Sequence, residues 1–309
     1  MNVYFLTDKI GPNYLDNIEY YNHLCNGNFH HTVYNYWILK NNYREKDINF
    51  FLVEEVPKDI HETDIVIFHY ESFKKIKFKK YITIQAIGDY PVVSESNYLI
   101  THNKRMENNN TFFIHFPLPA SIKKITAQFP PKKFIGVGNK YSFDPEVVSG
   151  RFASDCLKHG IEVEFIHDRN YLNKDADIFF FLRDKNMHLQ IDSTGNPVHP
   201  SSIWCPIYHP THRNGNRIYQ AWKMNIPCIL NREASIENAV KTKYDVLFAE
   251  TSRELFAKFM FIKSNKDFFK KMIQNCKDRE NENSYNIIVS QYESMFYEIR
   301  KRNSLYINK

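Results

Sequence analysis

Short apolar runs alternate with longer polar stretches along the first third of the chain. Runs of this length, separated by enough residues for a crossover helix, are typical of buried strands in a parallel sheet. The runs lie at residues 3–6, 49–53, 65–68, 81–86, 98–100 and 112–115. The pattern predicts an α/β domain in which helices cover a parallel sheet.

The alternation breaks at two proline clusters and then restarts. Pro117 and Pro119 form the first cluster, and Pro130 and Pro131 form the second. Proline ends regular elements and stiffens the chain, so we expect an interdomain linker here. The pattern beyond it predicts strands at 134–139, 163–166, 177–182, 227–230 and 246–248, an apolar stretch at 203–208, a helix ending near 159, and helices from 252 onward, the last at 284–300.

The length of the chain agrees with this division. A chain of 309 residues is long for one hydrophobic core and suits two domains. We predict an N-terminal α/β domain at 1–120, a second α/β domain at 132–285 and a terminal helical segment at 286–309.

Composition narrows the class of protein without selecting a ligand. Hydrophobic residues make up 43% and charged residues 25% of the chain, which excludes wholesale disorder. A net charge of +6 suits anionic partners such as nucleotides, phosphorylated lipids or nucleic acid. Five cysteines without a Cys-x-x-Cys pair indicate a reducing, cytoplasmic location. Neither a signal peptide nor a transmembrane stretch is evident, so we expect any membrane contact to be peripheral.

The most informative segment is 213–230, where a basic start leads into a helix and then a buried strand. Arg213 and Arg217 are one helical turn apart and so share a face. The first turn of a helix exposes unpaired N–H groups and the positive end of the helix dipole. The segment therefore predicts an anion site that suits a diphosphate. The alternative is a solvated basic face, the usual place for a charge run.

This segment resembles the donor-binding element of nucleotide-sugar glycosyltransferases of the GT-B fold. In a bacterial group of surface-glycan glycosyltransferases the stretch reads Lys-Pro-Ala-Thr-Lys-Leu-Tyr-Asn-Ala-Trp. Arg213 and Arg217 stand where that group has lysines, and Tyr219, Ala221 and Trp222 match it.

The resemblance implies a fold and an activity. The fold would be α/β, with two Rossmann-like domains facing a central cleft and a C-terminal helix that crosses back to the N-terminal domain. The activity would be transfer of a sugar from a nucleotide-diphosphate sugar, with UDP as the expected nucleotide, to an acceptor hydroxyl. We expect inversion, no metal and no cofactor besides the donor substrate. Asn216 would also contact the donor, and Gln220 would take the place of the family's Asn or Glu that binds the ribose.

Two further segments are predicted to contact the donor. Gly136, Gly138 and Lys140 follow a predicted strand, where backbone N–H groups and a cation suit a phosphate. A tight turn that requires glycine explains the same residues equally well. Ser235 and Glu237 follow the strand after the key helix, where the resembled family has a helix start that touches the donor. The alternative for them is an ordinary capped helix start.

Asp89 is the first candidate for the catalytic base. It directly follows the predicted strand at 81–86, in a Gly-Asp-Tyr-Pro turn. The bacterial group has an Asp-Arg-Pro-like turn here, and the more distantly similar bacteriophage DNA β-glucosyltransferases have an aspartate base at a comparable strand end. A base is needed because the acceptor hydroxyl must lose its proton. Alternatively, Asp89 only begins a turn ahead of proline. Weaker candidates are Asp8, Glu71, His30 and His31.

Two motifs imitate metal sites. Asp175 and Asp177 form an Asp-x-Asp sequence like that of metal-dependent transferases, but they enter a predicted strand, and we interpret them as a solvated strand start. His209 and His212 lack a third ligand nearby, so we interpret them as loop residues near the donor phosphate. No metal is expected.

Several alternatives remain open for the acceptor and the activity. A surface or lipid-linked glycan is the first choice of acceptor, because the bacterial resemblance lies among such enzymes. A modified base of phage-type DNA is the second, and it would require a basic cleft wide enough for a duplex. The chain would otherwise be a sugar-nucleotide epimerase, which turns over donor without acceptor, or a non-catalytic binding module, which shows no turnover.

Overall fold

The computed structural model describes residues 1–8, 29–45, 47–87, 92–118, 122–138, 143–166, 175–183 and 216–307. These residues fall into two compact units. The first unit contains Met1–Ala120 and Asn283–Lys309, and the second contains Ser121–Tyr208 and Gly215–Glu282. The proline-containing segment 121–131 thus lies with the second unit, and the terminal helical segment lies with the first.

The first unit is built on a six-stranded sheet in which every pairing is parallel. Its strands are β1 (Asn2–Leu6), β2 (Asn49–Val53), β3 (Ile65–His69), β4 (Ile82–Ala86), β5 (Tyr98–Thr101) and β6 (Thr111–Phe113), in the order β2-β1-β3-β4-β5-β6. All five residues of β3 are buried, as expected for an inner strand covered on both faces. The helix α1 (Asn35–Asn42) packs on this sheet through Ile38 and Leu39.

The second unit is built on a five-stranded sheet, again parallel throughout. Its strands are β7 (Lys133–Val137), β8 (Glu162–Ile166), β9 (Ile178–Phe181), β10 (Cys228–Leu230) and β11 (Leu247–Phe248), in the order β11-β10-β9-β7-β8. The apolar stretch predicted at 203–208 lies outside the described residues.

Five helices belong to the second unit within the described residues. They are α2 (Gly150–Lys158), α3 (Asn216–Met224), α4 (Ala234–Ala239), α5 (Ser252–Ser264) and α6 (Lys266–Arg279). The end of α3 shows why the key segment changes from helix to strand. Asn225 adopts a left-handed φ of 59°, and the N–H groups of Asn225 and Ile226 donate to the carbonyls of Trp222 and Ala221. This Schellman ending stops the helix and directs the chain into β10.

The centre of the second sheet is packed with aromatic rings, and this packing requires a glycine. Phe179, Phe180 and Phe181 on β9 are all buried. Gly136 lies beside them on β7, where an added Cβ would be 2.8 Å from Phe180 Cζ. Close packing between the strands therefore explains Gly136 without a ligand.

Asp177 anchors the start of the second unit rather than facing solvent. Its carboxylate accepts hydrogen bonds from the backbone N–H groups of Gln128 at 2.8 Å, Lys132 at 2.8 Å and Lys133 at 3.0 Å. Asp177 is buried, whereas Asp175 is largely exposed and forms an ion pair with Lys123 at 3.6 Å. The expectation of a solvated strand start is therefore wrong for Asp177, because three backbone donors replace its water.

The last helix, α7 (Tyr285–Ile307), packs on the first unit. Ile288, Tyr292, Phe296 and Ile299 recur along one face of α7 and are buried in the same core as β1 and α1. The sequence pattern predicted a helix that ends at residue 300, and the helix continues to Ile307. Of the helices that the structure describes, none combines the length and apolar character of a bilayer-spanning segment.

Replacing Asp177 with asparagine should destabilise the protein strongly, whereas Asp175→Asn should not. Asparagine keeps one acceptor oxygen, but its NH2 group would face the backbone N–H groups that now donate to the carboxylate. We therefore expect the free energy of unfolding to fall by about 2 to 4 kcal/mol. Urea unfolding of the two variants measures this. Equal losses in both would contradict the anchoring role of Asp177.

Candidate functional site

The carboxyl ends of three strands of the second sheet bring polar side chains together. Ligands of parallel sheets bind beyond these ends, where strands pass into loops and helices. The residues concerned are Gly138 after β7, Phe181 and Arg183 at the end of β9, Asn231, Glu233 and Ser235 after β10, and Arg217 on α3. We call this group the carboxyl edge of the second sheet.

Arg217 is the best-positioned cation of this edge. Its Nη1 donates to the carbonyl oxygen of Val137 at 2.5 Å. Its guanidinium carbon lies 3.5 Å from the centroid of the Phe181 ring, a cation–π contact. The carbonyl and the ring carry no formal negative charge, so these two contacts orient the cation without neutralising it.

Gly138 makes room for this arrangement. Its φ of 148° lies in a region that side chains rarely adopt. An added Cβ would lie 3.0 Å from Phe181 Cε2 and 3.4 Å from Arg217 Nη2. Because Gly138 has no side chain, the backbone can pass close to the Phe181 ring and to the Arg217 guanidinium that lies on this ring.

Arg183 is a second arginine on the same ring, which the sequence reasoning missed. Its guanidinium carbon lies 5.0 Å from the Phe181 centroid, and its Nε donates to Glu233 Oε1 at 2.9 Å. Its backbone N–H donates to Asn231 Oδ1. Glu233 is buried and balances the charge of Arg183. Arg183 directly follows the predicted strand at 177–182, and this position was the signal in the sequence that could have identified it.

The matched residues Ala221 and Trp222 hold α3 in place. Both are fully buried, and the indole Nε1–H of Trp222 donates to the backbone carbonyl of Asp245 at 3.2 Å. The Arg279 guanidinium lies 3.9 Å from the Trp222 ring and pairs with the Asp245 carboxylate at 2.5 Å. This packing fixes the axis of α3 and with it the position of Arg217.

Asp245 stays ionised although its side chain is fully buried. Burial alone would raise the pKa of its carboxyl group. Hydrogen bonds from Asn275 and from the backbone N–H groups of Thr242 and Lys241, together with the Arg279 charge, outweigh burial and lower that pKa below its ordinary value. The anchor of α3 is therefore a buried ion pair in which both oxygens of the Asp245 carboxylate accept hydrogen bonds.

Ser235, in the first turn of α4, presents an unsatisfied hydroxyl. The residue is 6% exposed, and within the described part of the chain its buried Oγ has no hydrogen-bond partner. A buried polar atom of this kind requires an explanation, of which an absent ligand is one. Glu237, two residues further along, pairs with Arg232 at 3.4 Å, and Gln220 is partly buried on α3.

Several predicted residues lie outside the described part of the chain. They are Asp89, Lys140, Arg213, His209, His212 and the side chains of Asn216 and His30. Their predicted roles stay predictions. Of the predicted donor residues, the structure brings Gly138 and Arg217 into contact range.

The carboxyl edge of the first sheet holds a buried stack of three histidines. The His31 ring lies between those of His69 and His102, with centroid separations of 5.3 and 4.9 Å. His102 Nδ1 lies 2.6 Å from the carbonyl oxygen of Ile114, and His102 Nε2 lies 3.0 Å from His31 Nδ1. A carbonyl only accepts, so Nδ1 of His102 carries the hydrogen and its Nε2 accepts from His31.

Burial keeps His102 neutral and supports this pattern. Burial lowers the pKa of His102 to about 4, and the hydrogen bond to Ile114 offsets only part of that effect. Two of the weaker base candidates, His31 and Glu71, belong to this cluster, since Glu71 Oε2 lies 3.4 Å from His69 Nδ1. Among the residues described, no group of three or more His, Cys, Asp or Glu side chains is arranged to hold a metal ion.

Comparisons with known proteins place the fold. No protein-family model and no curated protein sequence matches the chain. A glycosyltransferase from Rickettsia africae superposes with a TM-score of 0.51 at 9% identity, covering 97% of this chain and 98% of that chain. HepE from Anabaena, solved in complex with UDP and glucose, gives a TM-score of 0.51 at 9% identity, covering 96% and 98%. The chain thus has the two-sheet α/β fold of GT-B glycosyltransferases, which confirms the predicted fold.

The chain is also similar to part of a longer protein. TarM from S. aureus gives a TM-score of 0.48 at 8% identity, covering 75% of this chain and 55% of that chain. The chain therefore spans just over half the length of TarM.

The pKa of His102 predicts a loss of stability on mild acidification. Because its folded-state pKa lies below the ordinary 6.5, the unfolded state binds the proton first as the pH falls. The contribution of neutral His102 to the free energy of unfolding is fully present above pH 6.5 and is lost as the pH falls toward 4. About 2 kcal/mol of the free energy of unfolding is lost between pH 7 and pH 5. Urea unfolding at both pH values should show a smaller pH effect in His102→Gln than in the control His61→Gln. An unchanged pH effect in His102→Gln would contradict the assignment.

Proposed function

We propose that this protein is a glycosyltransferase that moves a sugar from a nucleotide-diphosphate sugar to an acceptor hydroxyl. The observation that carries the proposal is the Arg217 guanidinium, held by the Val137 carbonyl and the Phe181 ring at the carboxyl edge of the second sheet. The fold supports it, because HepE, which shares this fold over nearly the whole chain, was solved with UDP and glucose.

The second unit would bind the donor through Arg217. A guanidinium offers paired N–H donors that match two phosphate oxygens, and its positive charge stabilises a leaving diphosphate. Gly138 lacks a side chain where the diphosphate would approach the strand end. Arg213 and Lys140 would add positive charge, and Asn216 would contact the same group.

The remaining donor contacts would come from polar side chains of the same edge. Ser235 would satisfy its buried hydroxyl by a hydrogen bond to the ribose or the sugar. Gln220 would hydrogen-bond a ribose hydroxyl as a neutral amide, and Glu237 would contact the sugar.

The chemistry would be inverting and independent of a metal ion. The Asp177 carboxylate is already used by three backbone N–H groups, so the Asp-x-Asp sequence is not free to hold a metal on the diphosphate. Arginine charge would take that role. Asp89, just beyond β4 in sequence, would take the proton from the acceptor hydroxyl.

The acceptor would be a surface or lipid-linked glycan. The bacterial sequence resemblance around Arg217 and Trp222 supports this choice. A sugar-nucleotide epimerase would convert donor without any acceptor, so product analysis with donor alone separates the two activities.

Arg217→Ala should weaken donor binding and turnover. Losing one preorganised cation at the diphosphate should lower kcat/KM by the equivalent of about 2 to 4 kcal/mol. Calorimetric titration with UDP and an assay with UDP-glucose measure the two effects. Lys270→Ala, which removes an exposed positive charge on α6, is the control and should leave both unchanged. Arg217→Lys should recover little, since lysine lacks the planar fork and its ring contact. If Arg217→Ala bound UDP as the unaltered protein does, the proposal would fail.

Asp89→Asn should separate catalysis from donor binding. Without a carboxylate to accept the hydroxyl proton, transfer from UDP-glucose to water or to a glycan acceptor should be lost. The affinity for UDP should stay the same. Product formation at the unaltered rate would eliminate Asp89 as the base.

A further inference from the structure

A concave site lies at the edge of the second sheet opposite the carboxyl edge. It is a pocket with a volume of about 540 Å³ at the amino ends of β7 and β9, whereas Arg217 lies at their carboxyl ends. A volume of this size is within the range of small-molecule sites. The five-residue length of β7 separates the two edges by roughly 15 Å.

The pocket has an excess of positive charge. Its lining includes Lys123, Lys124, Lys132 and Lys133. Lys123 pairs with Asp175 at 3.6 Å, and Lys124 pairs with Glu280 at 2.7 Å. In the part of the chain that the structure describes, Lys132 and Lys133 form no ion pair. Two lysines of one concave wall thus remain without a carboxylate partner.

The backbone that carries these lysines is fixed. The Asp177 carboxylate accepts hydrogen bonds from the backbone N–H groups of Gln128, Lys132 and Lys133. Both of its oxygens therefore already accept hydrogen bonds from residues that line the pocket. The lining segment that carries Lys123 and Lys124 is held by the N–H of Ile125, which donates to the carbonyl of Met224 at 2.8 Å. Ile125 and Ala176 are buried and supply an apolar floor.

We propose that this pocket binds a small molecule that carries two or more phosphate groups. Like-charged side chains around a concavity concentrate their field and attract a multivalent anion. Lysine ammonium groups bind phosphate as point charges, and the apolar floor contacts the rest of the molecule. The pocket is concave and of small-molecule size, which favours such a ligand over a duplex or a membrane surface. The site is independent of the donor site.

Pyrophosphate is the probe for this site, titrated by calorimetry into the 309-residue protein saturated with UDP. Lys132→Ala/Lys133→Ala should weaken pyrophosphate binding about tenfold or more, the effect of losing two charge-assisted contacts. Lys266→Ala/Lys270→Ala removes the same charge from α6 and should have no effect. The pocket variant should fold normally, because the bonds to Asp177 come from backbone N–H groups, and its urea midpoint checks this.

The outcomes separate this site from the donor site. Loss of UDP binding in Arg217→Ala alone concerns the donor site and leaves pyrophosphate binding in place. An equal loss of pyrophosphate binding in both lysine double variants would overturn the proposal, as would no loss in either. Binding of phosphatidylglycerol vesicles or duplex DNA that depends on Lys132 and Lys133, without binding of pyrophosphate, would also overturn it.

Discussion

The position of the Arg217 guanidinium is the structural feature on which the proposed donor site depends. Arg217 reaches the carboxyl edge of the second sheet from α3 and is held there by the Val137 carbonyl and the Phe181 ring. Both contacts orient the cation and neither cancels its charge. A positive charge held in place beyond the ends of parallel strands suits an anionic ligand.

The rest of the second unit serves this geometry. The buried Trp222 and the ion pair between Asp245 and Arg279 fix α3, while an edge contact with the Phe143 ring, 4.7 Å between centroids, places the Phe181 ring. Breaking a buried ion pair by removing one partner costs about 3 to 5 kcal/mol, so this anchor tolerates little change. The residues of the family-like segment thus divide into a structural part, Ala221 and Trp222, and Arg217, which we propose binds the donor.

The local pattern of apolar and polar residues was sufficient to predict the strands, but it was not sufficient to predict which side chains contact one another. The strands β1 to β6 were predicted to within two residues, because parallel strands are uniformly apolar and short. The ring contact of Arg183 and the stack of His31, His69 and His102 depend on residues far apart in sequence, which no local pattern records. Asp177 was misjudged for the same reason, since its donors lie 44 to 49 positions away.

A crystal structure of the protein soaked or grown with UDP would show directly whether Arg217 binds the diphosphate. We expect density for the diphosphate beside Gly138, with phosphate oxygens within hydrogen-bond distance of the Arg217 guanidinium and the ribose toward Gln220 or Ser235. A diphosphate bound elsewhere in the molecule, with Arg217 contacting only Val137 and Phe181, would contradict it.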